Sequence, residues 1–187
     1  MGVIFTESAP IPPAPDLATW AGYSVDMVPH VDQLREYARD AKKILEFGVR
    51  SGVSTLALLE GLPPDGTMVS VDVDISMIHY MHFRMLADPR LTLIFGHDRD
   101  VKVMAFYPEL PDILMIDADH TYDSTLAELR IGAYLGARRI ILHDYLYGSS
   151  EPACKVKEAV DEFVATGDYE WEALHQSKWG LAVLRRV

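Results

Sequence analysis

The chain has 187 residues, with 17 Lys+Arg against 28 Asp+Glu for a formal net charge of -11, and 49% of it is hydrophobic. That length suits one domain of ~100–200 residues with a core of its own, and the apolar share excludes wholesale disorder. The acidic balance, without a Lys/Arg stripe, argues against a nucleic-acid partner, and a single Cys154 excludes a disulfide framework or a Cys-based zinc cluster.

No run nears the ~20 apolar residues of a spanning helix, and no basic-then-apolar stretch opens the sequence, so no membrane partner and a cytoplasmic location are expected. Residues Ala9 to Pro15 hold four prolines, which lack backbone donors and disfavour helix at the residue before them. An extended arm or cap over residues 1–29 is therefore expected, followed by one domain over 30–187. From Val31 through Ala41, apolar Val31, Leu34, Ala38 and Ala41 keep helical spacing and predict an amphipathic helix.

Short apolar runs then alternate with segments of helical period. The runs are Lys43 to Phe47, Thr67 to Val73, Leu91 to Phe95, Asp112 to Ile116 and Arg139 to Leu142. Between them lie Ser54 to Leu62, Ser76 to Leu86, Arg99 to Phe106 and Thr121 to Leu135. Near-continuous apolar strands alternating with helices predict a parallel sheet covered on both faces, a doubly wound α/β fold. A helix from Cys154 to Ala165 leads to two final strands, Tyr169 to Leu174 and Gly180 to Arg185. Their short connection permits a hairpin and forbids a parallel crossover, so the last strand is expected to be antiparallel.

In such sheets ligands bind beyond the carboxyl ends of the strands. Ile44 to Thr55 reads as a strand entering a glycine loop and then a helix. Gly48 permits a tight turn, Gly52 lets the helix start lie close to the strand, and free amides there favour an anion. The spacing is neither that of a dinucleotide loop nor that of a P-loop. Asp72 closes the second strand, and a carboxylate there can accept two hydrogen bonds, as from a diol. After the third strand comes Gly96-His97-Asp98, where Asp98 is placed to accept from an amino group and His97 to stack or point away.

Glu46, Gly48, Gly52 and Ser54 form E-x-G-x-x-x-G-x-S, which resembles motif I of the class I S-adenosylmethionine-dependent methyltransferases. Farther on, D-x-x-x-I-D-x-x-H-x-Y from Asp112 to Tyr122 and L-H-D at Leu142-His143-Asp144 are similar to the methyltransferase-domain-24 or cephalosporin-hydroxylase-like subgroup, related to the catechol O-methyltransferases. The resemblance covers about Val28 to Leu184. It implies a Rossmann-like seven-stranded sheet in the order 3-2-1-4-5-7-6 with strand 7 antiparallel. It also implies O-methylation of a small-molecule hydroxyl, with Glu46, Gly48, Gly52, Ser54, Asp72, Asp98 and Asp117 around S-adenosyl-L-methionine. A non-catalytic adenosylmethionine-binding or interaction protein on the same fold is the alternative.

Asp117 and Asp144 would then end adjacent strands ~5 Å apart, where two carboxylates either repel or share a cation. Catechol-type relatives imply magnesium at these two positions with a neighbouring Asn, but here Tyr145 follows Asp144. Without a metal, His120 is the first candidate for the general base and His143 the second. Tyr122, Tyr145 and Tyr147 are candidates to line the acceptor pocket. A methyltransferase core leaves little chain for choosing a substrate, which argues for an open cleft or one completed by a second copy of the chain.

Overall fold

Period-two burial and helical amphipathicity together build the layers. In β1 (Lys43–Phe47) every residue after Lys43 is buried, with Ile44 facing one apolar cluster and Leu45 and Phe47 the other. β4 (Ile113–Ile116) repeats this, sending Ile113 and Met115 to the first cluster and Leu114 and Ile116 to the second. A strand apolar on both sides needs cover on both sides. Helices α1 (Val31–Ala38) and α2 (Val53–Gly61) supply it on one face, and α4 (Tyr122–Leu135) and α5 (Val156–Val164) on the other. A short α3 (Val101–Met104) lies between β3 (Leu91–Phe95) and β4.

This computed structural model describes residue 22 and residues 24–74, 85–149 and 153–187. The proline-rich stretch from Ala9 to Pro15 and nearly all of the helix expected from Ser76 to Leu86 lie outside them. With β2 (Thr67–Asp72), β5 (Arg139–Leu142), β6 (Tyr169–His175) and β7 (Leu181–Arg186), the sheet has seven strands in the order β3-β2-β1-β4-β5-β7-β6. β1 to β5 pair in parallel, whereas β7 is antiparallel to both β5 and β6. The expected fold, strand order and antiparallel ending are all present.

The first helix stops at Ala38, short of the expected Ala41. Met27 and His30 are buried, and Val28–His30 form a 3-10 turn running straight into α1. Among the described residues no helix is long and apolar enough to cross a membrane.

Leu34 is fully buried in the cluster that joins α1 to the sheet. Leu34→Ala is therefore expected to lower unfolding free energy by about 2–5 kcal/mol in a urea titration. A loss under about 1 kcal/mol would show that α1 is not part of the cooperative core.

Candidate functional site

Backbone pairing continues one step past the strands, and this brings the loops together. Gly48 N–H donates to Val71 O at 2.9 Å, Gly96 N–H to Asp72 O at 2.9 Å, Asp117 N–H to Phe47 O at 2.8 Å and His143 N–H to Ile116 O at 3.1 Å. The first residue of each loop is thus still registered against its neighbour.

The loops after β1, β2, β3 and β4 surround a cavity of about 460 Å3 lined by Gly48, Asp72, Gly96, His97, Asp98, Asp117, His120 and Ser124, among others. That lies within the ~300–1,000 Å3 usual for small-molecule sites. Gly48 has φ +87°, and a Cβ there would sit 2.1 Å from the carbonyl oxygen of Asp117, so only glycine fits between the tips of β1 and β4.

Asp72 corrects one expectation. Its Oδ2 accepts from the amides of Val49 at 2.7 Å and Arg50 at 2.8 Å, and its Oδ1 accepts from Asp74 N–H at 2.8 Å. Two of the amides expected to be free for an anion are therefore held by this carboxylate, since a left-handed Arg50 (φ 46°) turns the loop toward it. With three of its roughly four acceptor positions taken, Asp72 in this state offers a diol one hydrogen bond instead of two.

Glu46, Gly52 and Ser54 are not on the cavity wall. Glu46 is completely buried under α2 and accepts from Ser54 Oγ at 2.7 Å, Thr55 Oγ1 at 2.6 Å and Ser70 Oγ at 2.7 Å. Burial pushes its carboxyl up to about 7 against the pull of the three hydroxyls. The side chain ties α2 to β1 and β2 and so orders the glycine loop from behind. Gly52, at φ +75°, is the residue from which α2 starts. Thr55, in the first turn of α2, and Ser70, paired with Glu46 across β1 and β2, were not anticipated; their only sequence signal is a hydroxyl in an otherwise apolar segment.

The sharpest electrostatics lie at the ends of β4 and β5. His143 Nδ1 is 3.3 Å from both Asp117 Oδ1 and Asp144 Oδ2, while His120 Nε2 is 3.1 Å from Asp144 Oδ2 and 3.5 Å from Asp117 Oδ1. Burial alone would lower His143, but the two carboxylates push its imidazole up to about 11. Burial would raise Asp117, yet the two imidazoles hold it far below the usual carboxylate range. Contact with Asp117 raises His120. Asp144 has φ 62°, a left-handed conformation that Asp tolerates better than most residues and that turns its carboxylate back toward His120.

Asp117 is not a helix cap. Asp119 bonds the amide and hydroxyl of Thr121, each at 3.2 Å, where α4 begins. His30 was not anticipated. Its ring meets that of His143 edge-on at 5.7 Å, and burial together with that neighbour lowers it to about 4. Only its place at the mouth of the first helix could have hinted at this.

Magnesium, implied by the catechol-type resemblance, asks for oxygen donors. Asp117 and Asp144 do come together, with His120 in reach of both, and ligand atoms of the three lie within 4.8 Å of one another. Tyr145, however, stands where the Asn ligand would be and turns its hydroxyl to Asp161 at 2.7 Å. The buried atoms left without hydrogen-bond partners here are His120 Nε2, His143 Nδ1 and Asp144 Oδ1, two nitrogens and one oxygen. The residues present do not fit an all-oxygen magnesium shell. Tyr122 also faces elsewhere, donating to Glu162 on α5, while Tyr147 lines a second cavity described below.

A model of the methyltransferase domain family matches residues 45–145, from within β1 to just past Asp144. The chain belongs to this family. Solved structures extend the likeness to the whole sheet. The O-methyltransferase TomG from Streptomyces achromogenes, involved in tomaymycin synthesis and solved with SAM, aligns at 18% identity over 95% of this chain and 92% of its own, with TM-score 0.71. An O-methyltransferase from Bacillus cereus in complex with SAH aligns at 17% over 84% and 80%, TM-score 0.69. A SAH-bound methyltransferase from Podospora anserina aligns at 19% over 84% and 78%, TM-score 0.65. No curated protein matches in sequence.

Two measurements check the electrostatics of this methyltransferase domain. Because the folded Glu46 titrates near 7 and an unfolded Glu near 4.5, its favourable contribution is complete below about pH 4.5 and is lost as pH rises through 7. Glu46→Gln should therefore gain on the wild type by about 3 kcal/mol between pH 4.5 and 8 in urea titrations. A constant difference would refute the buried-carboxylate account. Nitrogen-15 spectra should show His143 still an imidazolium at pH 9, with deprotonation at lower pH in Asp117→Asn; a neutral wild-type ring at pH 8 would contradict the clamp.

Proposed function

We propose that this chain is an S-adenosylmethionine-dependent O-methyltransferase acting on a small-molecule hydroxyl, with His120 as the proton acceptor. The observation that carries the reading is the position of His120, which lines two cavities. One is the 460 Å3 cavity already described, and the other, of about 290 Å3, is bounded by Ala118, Asp119, Thr121, Tyr147, Ala153 and Cys154. A group shared by two adjoining cavities is placed to act between two bound molecules.

The donor set of the larger cavity suits adenosylmethionine. Asp72 and the buried Asp98 offer carboxylate oxygens to hydroxyl and amino hydrogens. Asp72, Asp74, Asp98, Asp117 and Asp119 against Arg50 give the wall a negative balance that favours a sulfonium cation. When bound, adenosylmethionine supplies an electrophilic methyl group. The chain's own residues orient and deprotonate. Thr121 and Tyr147 bound the space for a small acceptor, and His120, whose Nε2–H faces Asp144 and Asp117, takes the proton of the acceptor hydroxyl on Nδ1. Asp144 and Asp117 stabilise the imidazolium that results, while His143, already charged, spares those carboxylates mutual repulsion. A small, neutral or cationic acceptor fits this acidic mouth better than an anionic one.

Calorimetry with SAH should show saturable binding that is weakened in Asp72→Ala; no heat at millimolar SAH would sink the reading. His120→Ala should lower kcat by about 10²–10⁴ with a much smaller change in SAH affinity. Because contact with Asp117 raises His120, kcat/KM should climb as pH rises above the ordinary histidine value near 6.5. Turnover should be indifferent to EDTA, and activation by added magnesium would overturn the histidine route.

A further inference from the structure

Under the wall of the larger cavity lies a second acidic pair. Glu128 on α4 is fully buried, and neither of its carboxyl oxygens has a hydrogen-bond partner. It faces Asp98, itself buried, whose Oδ2 is likewise without a partner. Ser124, one turn before Glu128 on the same helix face, lines the cavity with its Oγ also unpartnered. Asp98 is otherwise clamped: its Oδ1 is 2.7 Å from His97 Nδ1, and its backbone carbonyl accepts from the Tyr107 hydroxyl.

Two carboxyl groups that face each other away from water cannot both ionise, and the pair is satisfied when one carries a proton and donates it to the other. Glu128 has no hydroxyl or amide around it comparable to those that hold Glu46. Burial and the nearby Asp98 push it up to about 9. The other charged and titratable groups facing it are Arg99 on the same loop as Asp98, Asp119 on the loop after β4, and Tyr107 beyond α3.

We propose that Glu128 is a positioning residue for the purine end of the cofactor: its carboxyl donates to Asp98 Oδ2 and holds that carboxylate ready to accept from an exocyclic amino group. This rests on the reading of the cavity as an adenosyl site. The consequence is a specificity. A 6-amino purine presents a donor to Asp98, whereas a 6-oxo purine presents an acceptor oxygen, which the Asp98 carboxylate repels.

The test is calorimetry of the full chain with SAH and with S-inosylhomocysteine, its 6-oxo counterpart. The wild type should prefer SAH by roughly tenfold or more. Glu128→Gln, which keeps an uncharged donor of the same length, should retain the preference. Glu128→Leu should bring the ratio close to one while both ligands still bind. Equal weakening of both ligands in Glu128→Leu, or an unchanged ratio, would overturn the proposal by leaving Glu128 a merely structural role. If Glu128→Leu does not fold, the pH profile decides. The wild-type preference should fall between pH 8 and 10 and that of Glu128→Gln should stay flat, and a flat wild-type profile would overturn it. Absence of SAH binding in the wild type removes the adenosyl reading, and this proposal with it.

Discussion

The register of the central parallel strands is the constraint on which the rest depends. Phe47 pairs with Ile116, and Ile116 with Leu142, so β1, β4 and β5 end at one level. Because the ladder runs on into the loops, Gly48, Asp117 and His143 are laid side by side before any side-chain contact is counted. Parallel pairing places every carboxyl end on the same edge, and sequence-distant polar residues thus meet there without a long, costly ordered loop.

That arrangement crowds carboxylates, and the protein neutralises each one differently. Asp72 is held by three loop amides, Glu46 by three buried hydroxyls, and Asp117 and Asp144 by two imidazoles. Glu128 faces Asp98, whose other oxygen meets His97. Amides and hydroxyls satisfy a carboxylate with fixed dipoles that neither give up nor gain a proton. Imidazoles satisfy it with a group that can give up or gain a proton. The groups able to exchange a proton therefore concentrate around His120, while Asp72 and Glu46 order the glycine loop from its two sides.

Much of the fold was legible along the chain. Lys43–Phe47 and Arg139–Leu142 are strands over the residues their apolar runs predict, because a strand buried on both faces leaves a continuous apolar run bounded by polar loops, and the half-buried edge strand Leu91–Phe95 also keeps its expected bounds. Helix ends were less legible, as at Ala38, where the pattern continues to Ala41 although the helix stops. At the site, Gly48, Asp72, Asp98, Asp117 and His120 were readable because each sits within a few residues of a strand's carboxyl end. Motif spacing gives the loop but not the face: Glu46 is inside the strand, where alternation points it under α2, and Ser54 donates to it there.

By itself the sequence determined the strand-helix alternation, the antiparallel ending and the loop positions that carry acidic residues and histidines, since these follow from local period, turn length and spacing. Only the tertiary structure decided which of those residues share a proton. The pairing of Glu128 with Asp98, the approach of His30 to His143 and the use of the Val49 and Arg50 amides by Asp72 join residues 30, 113, and 23 or 22 positions apart. The protonation of a carboxyl or an imidazole depends on burial and on neighbours within a few ångströms, and neither is encoded in local spacing.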